Sequence, residues 1–199
     1  MKYTVVDGHC DTPMELWLRQ ENLRSNTCQV SLERAKKLSG YVQFYAFCTV
    51  WLEQDGSFEA HYAGALEHFN RQLDENKDQI VRCKNEADAR AAIGSGKCGA
   101  FLSIEGAEAI SCDPGKLELA CAQGVRMIAP AWNAQNALTG SCMTGGGLTA
   151  QGKEFVRRAQ KLGMILDVSH ISEKAFWDLC DITEKPFVAS HSNSRAICK

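Results

Sequence analysis

The chain has 199 residues, 45% hydrophobic and 23% charged, a size and balance that support one well-buried core and a single globular domain. Its 22 basic and 24 acidic side chains are mixed along the sequence for a net charge of −2. That mixing excludes the basic block which nucleic acid or an anionic membrane surface would require. No apolar run is long enough to cross a bilayer, and Met1-Lys2-Tyr3 leads straight into an apolar segment without a signal-peptide pattern, so a cytoplasmic location is expected.

Apolar runs at 3–6, 42–50, 100–104, 127–131, 164–168 and 187–190 predict strands. Between them, Ala63, Leu66, Phe69 and Leu73 carry a helical spacing within 60–75. Asn85 is placed to cap a helix over 86–93, with Gly94 ending it. Further helices are expected over 117–123, from Thr149 to 162, and from Ser172 to 180. Runs 101–104 and 164–168 are apolar on both faces, as in parallel strands covered on both sides. Strand–helix alternation of this kind predicts an α/β fold, either a β/α barrel or a doubly wound sheet. Gly145-Gly146-Gly147 lacks dinucleotide-binding spacing and reads as a mobile loop.

The chemistry lies where the strand runs stop. His9 and Asp11 follow the first run and, two residues apart in extended chain, share a face. Glu105 ends the run 101–104, His170 follows 164–168, and His191 follows 187–190. In a β/α barrel those strand ends meet at the active site. Imidazoles and carboxylates suit zinc and similar borderline ions. Three histidines, one Asp and one Glu exceed what one four-coordinate catalytic ion needs, and fit two ions if Glu105 bridges. A lone histidine at a strand end is usually structural, and Asp11 before Thr12-Pro13 could simply cap a turn; it is the convergence that carries the reading. His61 and His68 fall on a helix without a carboxylate partner and read as solvated surface residues. The 10 cysteines form no C-x-x-C pair and read as free, mostly buried thiols. Cys10, between His9 and Asp11, alternates away from them and reads as packing.

The segments Asp7-Gly8-His9-Cys10-Asp11, Ser103-Ile104-Glu105-Gly106, Asp167-Val168-Ser169-His170 and Ser190-His191-Ser192-Asn193 resemble the membrane (renal) dipeptidases, in family order and across the whole chain. Gly147-Leu148-Thr149 and the helix leading to Leu162-Gly163 resemble the same family. His9-x-Asp11 distinguishes the pattern from amidohydrolases that carry two histidines there. The resemblance implies a β/α barrel with two zinc ions, one held by His9 and Asp11, the other by His170 and His191, and Glu105 as the bridge and catalytic carboxylate. It implies hydrolysis of dipeptides, often with a C-terminal D-residue, by a hydroxide between the metals. Where mammalian members have Thr-His-Asn with a substrate-contacting histidine, this chain has Ala131-Trp132-Asn133, like bacterial relatives; Trp132 and Asn133 are the expected substrate contacts.

A full barrel has eight strands, and six are counted here. The expectation is therefore one metallo-hydrolase domain over 1–199 with about six of eight β/α units and its C-terminal part missing. The family's substrate-carboxylate arginine and proton-shuttling aspartate would come later. Such a chain by itself is expected to turn over dipeptides at least about a hundredfold more slowly than an extended one. Two other readings stay open: a non-catalytic metal-binding homologue or partner subunit, and another metal-dependent amidohydrolase. A homo-oligomer is left open; nucleic acid and membrane are not expected partners.

Overall fold

The computed structural model describes residues 3–50, 52 and 57–197. Its strands are β1 (Thr4–Cys10), β2 (Gly40–Cys48), β3 (Ile80–Arg82), β4 (Cys98–Glu105), β5 (Val125–Ala129) and β6 (Ile165–Leu166). They form one parallel sheet in the order β1-β2-β4-β5-β6. β2 occupies one edge of β4 from Val42↔Gly99 to Cys48↔Glu105. β3 and β5 share the other edge, β3 along Cys98–Ala100 and β5 from Leu102 onward. Among the described residues β1 has no partner on its outer side, so the sheet is an open part of a β/α barrel. No helix among them is long and apolar enough to cross a membrane.

Helices α1 (Thr12–Arg19), α2 (Leu32–Ala35), α3 (Phe58–Glu75), α4 (Glu86–Gly94), α5 (Leu117–Ala122), α6 (Ala150–Lys161) and α7 (Glu173–Cys180) connect the strands. Asn85, Thr149 and Ser172 cap α4, α6 and α7 by accepting from Asp88 N, Gly152 N and Ala175 N, as their positions predict. Period-two alternation divides the strands between two cores. Tyr41, Tyr45, Phe47, Ala100, Leu102 and Ile104 face outward into the main core, where Phe69 of α3 and Phe155 of α6 are fully buried. Val42 and Phe101 face inward, with Cys83 and Ala92, and α4 covers them. A cavity of about 620 Å³ stays open on that inner face, lined by Val6, Phe44, Phe101, Ile93 and Ile165 among others, and none of the residues expected to bind metal reaches it.

The structure departs from the sequence reading in several places. α1, α2 and β3 are elements that the apolar pattern does not predict; α1 begins on Thr12-Pro13, where proline's fixed φ suits a first turn. The run 187–190 makes only an isolated parallel bridge, Val188 against Asp167, with Val168 N donating to Val188 O at 2.8 Å. His68 is buried, 6% exposed, and its Nε2 faces Glu21 O at 3.2 Å, tying α3 to the loop after α1. His61 lies against Trp17 with ring centroids 5.8 Å apart, partly buried and not a solvated surface group. The nine described cysteines are all free thiols; Cys198 lies outside the described residues. Cys10 packs against the main core, and burial pushes its thiol up to about 12.

Candidate metal centre

Local geometry brings the strand ends together. Glu105 is the last residue of β4 and follows Phe101 and Ser103 on the inner face, which carries its carboxylate to the rim. β1 takes one extra residue between Asp7↔Gln43 and Cys10↔Tyr45, a bulge that re-aims His9. Gly8 lies so near the next segment that a Cβ there would stand 3.2 Å from Ser190 O. This close approach lets the His9 and His191 rings meet at 3.9 Å between centroids. Asp11 holds the N-cap position of α1, yet its side chain makes no capping bond. Its Oδ1 lies 3.4 Å from His9 Nε2. His170 adopts φ 71°, a left-handed backbone uncommon for a residue with Cβ and concentrated at functional sites.

The two oxygens of Glu105 face different histidines. Oε2 lies 3.5 Å from His9 Nε2. Oε1 lies 2.7 Å from His170 Nε2 and 3.2 Å from His191 Nε2. The two Nε2 atoms stand 2.8 Å apart. The other nitrogens are engaged elsewhere: His170 Nδ1 with Asn133 Oδ1 at 3.0 Å, and His191 Nδ1 with Ser190 Oγ at 2.7 Å. Where both Nδ1 atoms donate from neutral rings, the Nε2 lone pairs and Glu105 Oε1 converge on one point, an arrangement that suits a cation; in the metal-free protein a proton on Nε2 fills the same gap. His9, Glu105 and His191 also offer ligand atoms within 4.8 Å of one another. That triad draws one histidine from each of the two groups facing Glu105.

The electrostatics fit a cation. Burial works to raise the Glu105 carboxyl, but hydrogen bonds from His170 and His191 and the charge of His9 hold it well below the usual carboxylate range. Burial works to lower His9; the bond to Asp11 and the charges of Glu105, Asp11 and Asp167 outweigh it and raise its pKa above 6.5. In the metal-free protein a protonated His9 therefore stabilises the fold below pH 6.5, and that contribution is lost as pH rises through its raised value. Hence the unfolding midpoint of His9→Gln, measured in chelator, is expected to trail the unsubstituted protein clearly at pH 6 and much less at pH 9. A deficit that grows with pH would reverse the assignment.

The family model for membrane dipeptidases (peptidase family M19) matches residues 1–199. The chain belongs to that family. It is 38% identical over 135 residues to an uncharacterized protein in the PQQ-III 3′ region of Acinetobacter calcoaceticus, covering 64% of this chain and 43% of that one. The chain thus spans less than half the length of that curated relative. Among solved structures, dipeptidase AC, a metallo peptidase of family M19, superposes with TM-score 0.86 at 26% identity, over 99% of this chain and 65% of that one. A metallo peptidase from Rhodobacter sphaeroides, liganded with a phosphinate mimic of the dipeptide L-Ala-D-Ala, gives 0.84 at 25% identity, over 99% and 67%.

Among membrane dipeptidases, then, this chain brings His9, Asp11, Glu105, His170 and His191 to one end of its sheet. Trp132 and Asn133 follow β5 at the same rim. Trp132 stands beside His170, ring centroids 6.3 Å apart. Asn133 spends its carbonyl on His170 and so positions a histidine. Three polar residues beneath the histidines drew no expectation as site residues: Asp167, Ser169 and Ser190. Asp167 is buried, 3% exposed, at the end of an otherwise apolar run. A carboxylate in that setting is itself a signal, because an unpaired buried charge is prohibitively costly.

Proposed function

We propose that residues 1–199 form one metallo-hydrolase β/α-barrel domain holding two zinc ions for the hydrolysis of dipeptides. The observation that carries this is Glu105 turning one oxygen to His9 and the other to His170 and His191. His9 and Asp11 would hold one ion, His170 and His191 the other, with Glu105 between them. When bound, paired zinc ions supply Lewis acidity and make water nucleophilic near neutral pH. The protein's part is to fix the ligands before substrate arrives: Asn133 orients His170, Ser190 orients His191, and Glu105 stays ionised between two positive centres. Trp132 offers an apolar wall and one N–H donor for substrate, without proton-transfer chemistry.

Dipeptides are the proposed substrates, including those ending in a D-residue. The experiment is an assay of the complete protein, zinc supplied, on dipeptides ending in L- or D-alanine and on N-acyl amino acids. Dipeptides are expected to be cleaved and N-acyl amino acids spared. The opposite preference would make the protein another kind of amidohydrolase. Zinc uptake with no turnover of either class would make it a non-catalytic homologue.

A further inference from the structure

The histidine pair rests on a buried carboxylate that the proposed reaction does not use. Asp167 Oδ1 accepts from Ser169 N at 3.0 Å, Ser169 Oγ at 2.8 Å and Ser190 N at 3.1 Å. Its Oδ2 accepts from Ser190 Oγ. Ser169 Oγ in turn accepts from His191 N at 3.2 Å. One side chain thus ties the segment bearing His170 to the segment bearing His191, where backbone pairing is reduced to the Asp167–Val188 bridge.

We infer that Asp167 is a positioning residue that acts through Ser190 to set the tautomer of His191 for metal binding. The inference rests on the metal-centre reading above. A serine hydroxyl has one proton. With that proton on Asp167 Oδ2, Ser190 Oγ can only accept from His191, so the ring carries its proton on Nδ1. Nε2, the atom facing Glu105 and His170, keeps its lone pair for a metal. A carboxylate behind a metal-binding histidine commonly fixes tautomer and orientation. Here the same control passes through a hydroxyl.

Asp167→Asn tests this because its orientation is forced. Two of the three donors at Oδ1 are backbone N–H groups, which cannot reverse, so the amide oxygen must face them. The amide NH₂ then meets Ser190 Oγ. Ser190 becomes an acceptor on that side and turns its proton toward His191 Nδ1 at 2.7 Å, the nearer of its two remaining partners, Ser169 Oγ lying at 3.4 Å; the ring is then protonated on Nε2, where it cannot bind metal. The carboxamide keeps the shape, as when an aspartate behind a catalytic histidine is replaced by Asn with geometry intact and the tautomer wrong.

The measurement is zinc affinity of the complete protein by competition with a chromophoric chelator, with the His191 ring followed by ¹⁵N NMR. Asp167→Asn is expected to weaken one zinc-binding step by roughly 10–100-fold. Adding Ser190→Ala to it removes the misdirected hydroxyl, so the double variant should bind zinc more tightly than Asp167→Asn alone. Ser190→Ala by itself should lose less than Asp167→Asn, since its ring is merely unheld. A double variant no better than Asp167→Asn would overturn the inference, reducing Asp167 to a structural brace. So would a Ser190→Ala protein with unchanged zinc affinity, which decides the matter even if Asp167→Asn fails to fold. If the unsubstituted protein takes up no zinc, the metal centre falls and this inference with it; normal uptake with indifferent variants overturns this inference alone.

Discussion

Glu105→Gln is expected to abolish dipeptide hydrolysis and to reduce zinc content below two ions per chain. The side chain is 6% exposed and each of its oxygens faces a different imidazole group. Glutamine keeps the volume but offers one oxygen and one NH₂. Whichever way it turns, a donor replaces an acceptor toward either His9 or the His170–His191 pair, and that group loses its shared ligand. The negative charge that would offset the two proposed zinc ions is lost as well, in a setting where burial strengthens the interaction. Asp11→Asn is the informative control. Asp11 is 52% exposed and touches only the His9 side, so its loss should lower affinity at one position and leave the other filled. Zinc per chain by elemental analysis, alongside turnover, reads both effects. Near-normal turnover in Glu105→Gln would show that the bridge is misassigned, whereas a single retained ion without turnover is the expected result.

The sequence carried the residues that meet at the rim as candidate ligands because their signal is local and chemical. A polar metal-binding residue directly after an apolar run is visible without a structure, and a barrel places such residues at one rim. The helix caps at Asn85, Thr149 and Ser172 were legible for the same reason, since the capping residue sits beside the N–H it accepts from. What could not be read was register. The bulge between Asp7 and Cys10 depends on how β1 meets β2, and the close approach of Gly8 to Ser190 joins segments 182 positions apart. His68 looked like a surface group because its partner, the carbonyl of Glu21, is 47 residues away. β3 has three residues, too few for periodicity to register. α1 is a different matter: Asp11-Thr12-Pro13 is a helix-start pattern as well as a turn pattern, and the structure takes the helix.

Asp167 is a functional signal of a second kind, a buried carboxylate that touches no candidate ligand directly. Its motif, Asp167-Val168-Ser169-His170, stood out for the histidine, while the aspartate and serine were visible only as letters nearby. The structure gives them work: both side chains are buried and their hydrogen bonds run to Ser190 and His191. A buried carboxylate beside strand ends rich in histidine is reason to look for what it orients.

Gly140→Ala is expected to disrupt the metal centre from a distance while changing no ligand. A Cβ at 140 would fall 1.5 Å from Gly145 O and 2.6 Å from Gly145 C, both backbone atoms that no rotamer change can move. The loop must therefore open. It is also the support under His170: Ser141 bridges Ile171, Cys142 N donates to His170 O at 2.6 Å, and Ser172 N donates to Gly140 O at 3.2 Å. Ser141 Oγ donates to Asn133 O at 2.5 Å, which links the loop to the residue that orients the His170 ring. These contacts hold His170 at φ 71°, a conformation that lasts only while its surroundings enforce it. Overpacking typically costs about 1–3 kcal/mol, and because every atom the new methyl meets is backbone of Gly145 and Gly146, this substitution belongs at the upper end. The loss should appear in denaturant unfolding of the metal-free protein, and zinc affinity should fall with it. Gly94→Ala, at the end of α4 with nothing within 4 Å of its Cβ, serves as the contrast and is expected to be neutral or to stabilise by roughly 0.5–1 kcal/mol. Should Gly140→Ala match the unsubstituted protein in both stability and zinc affinity, the loop would not be what holds His170 in place.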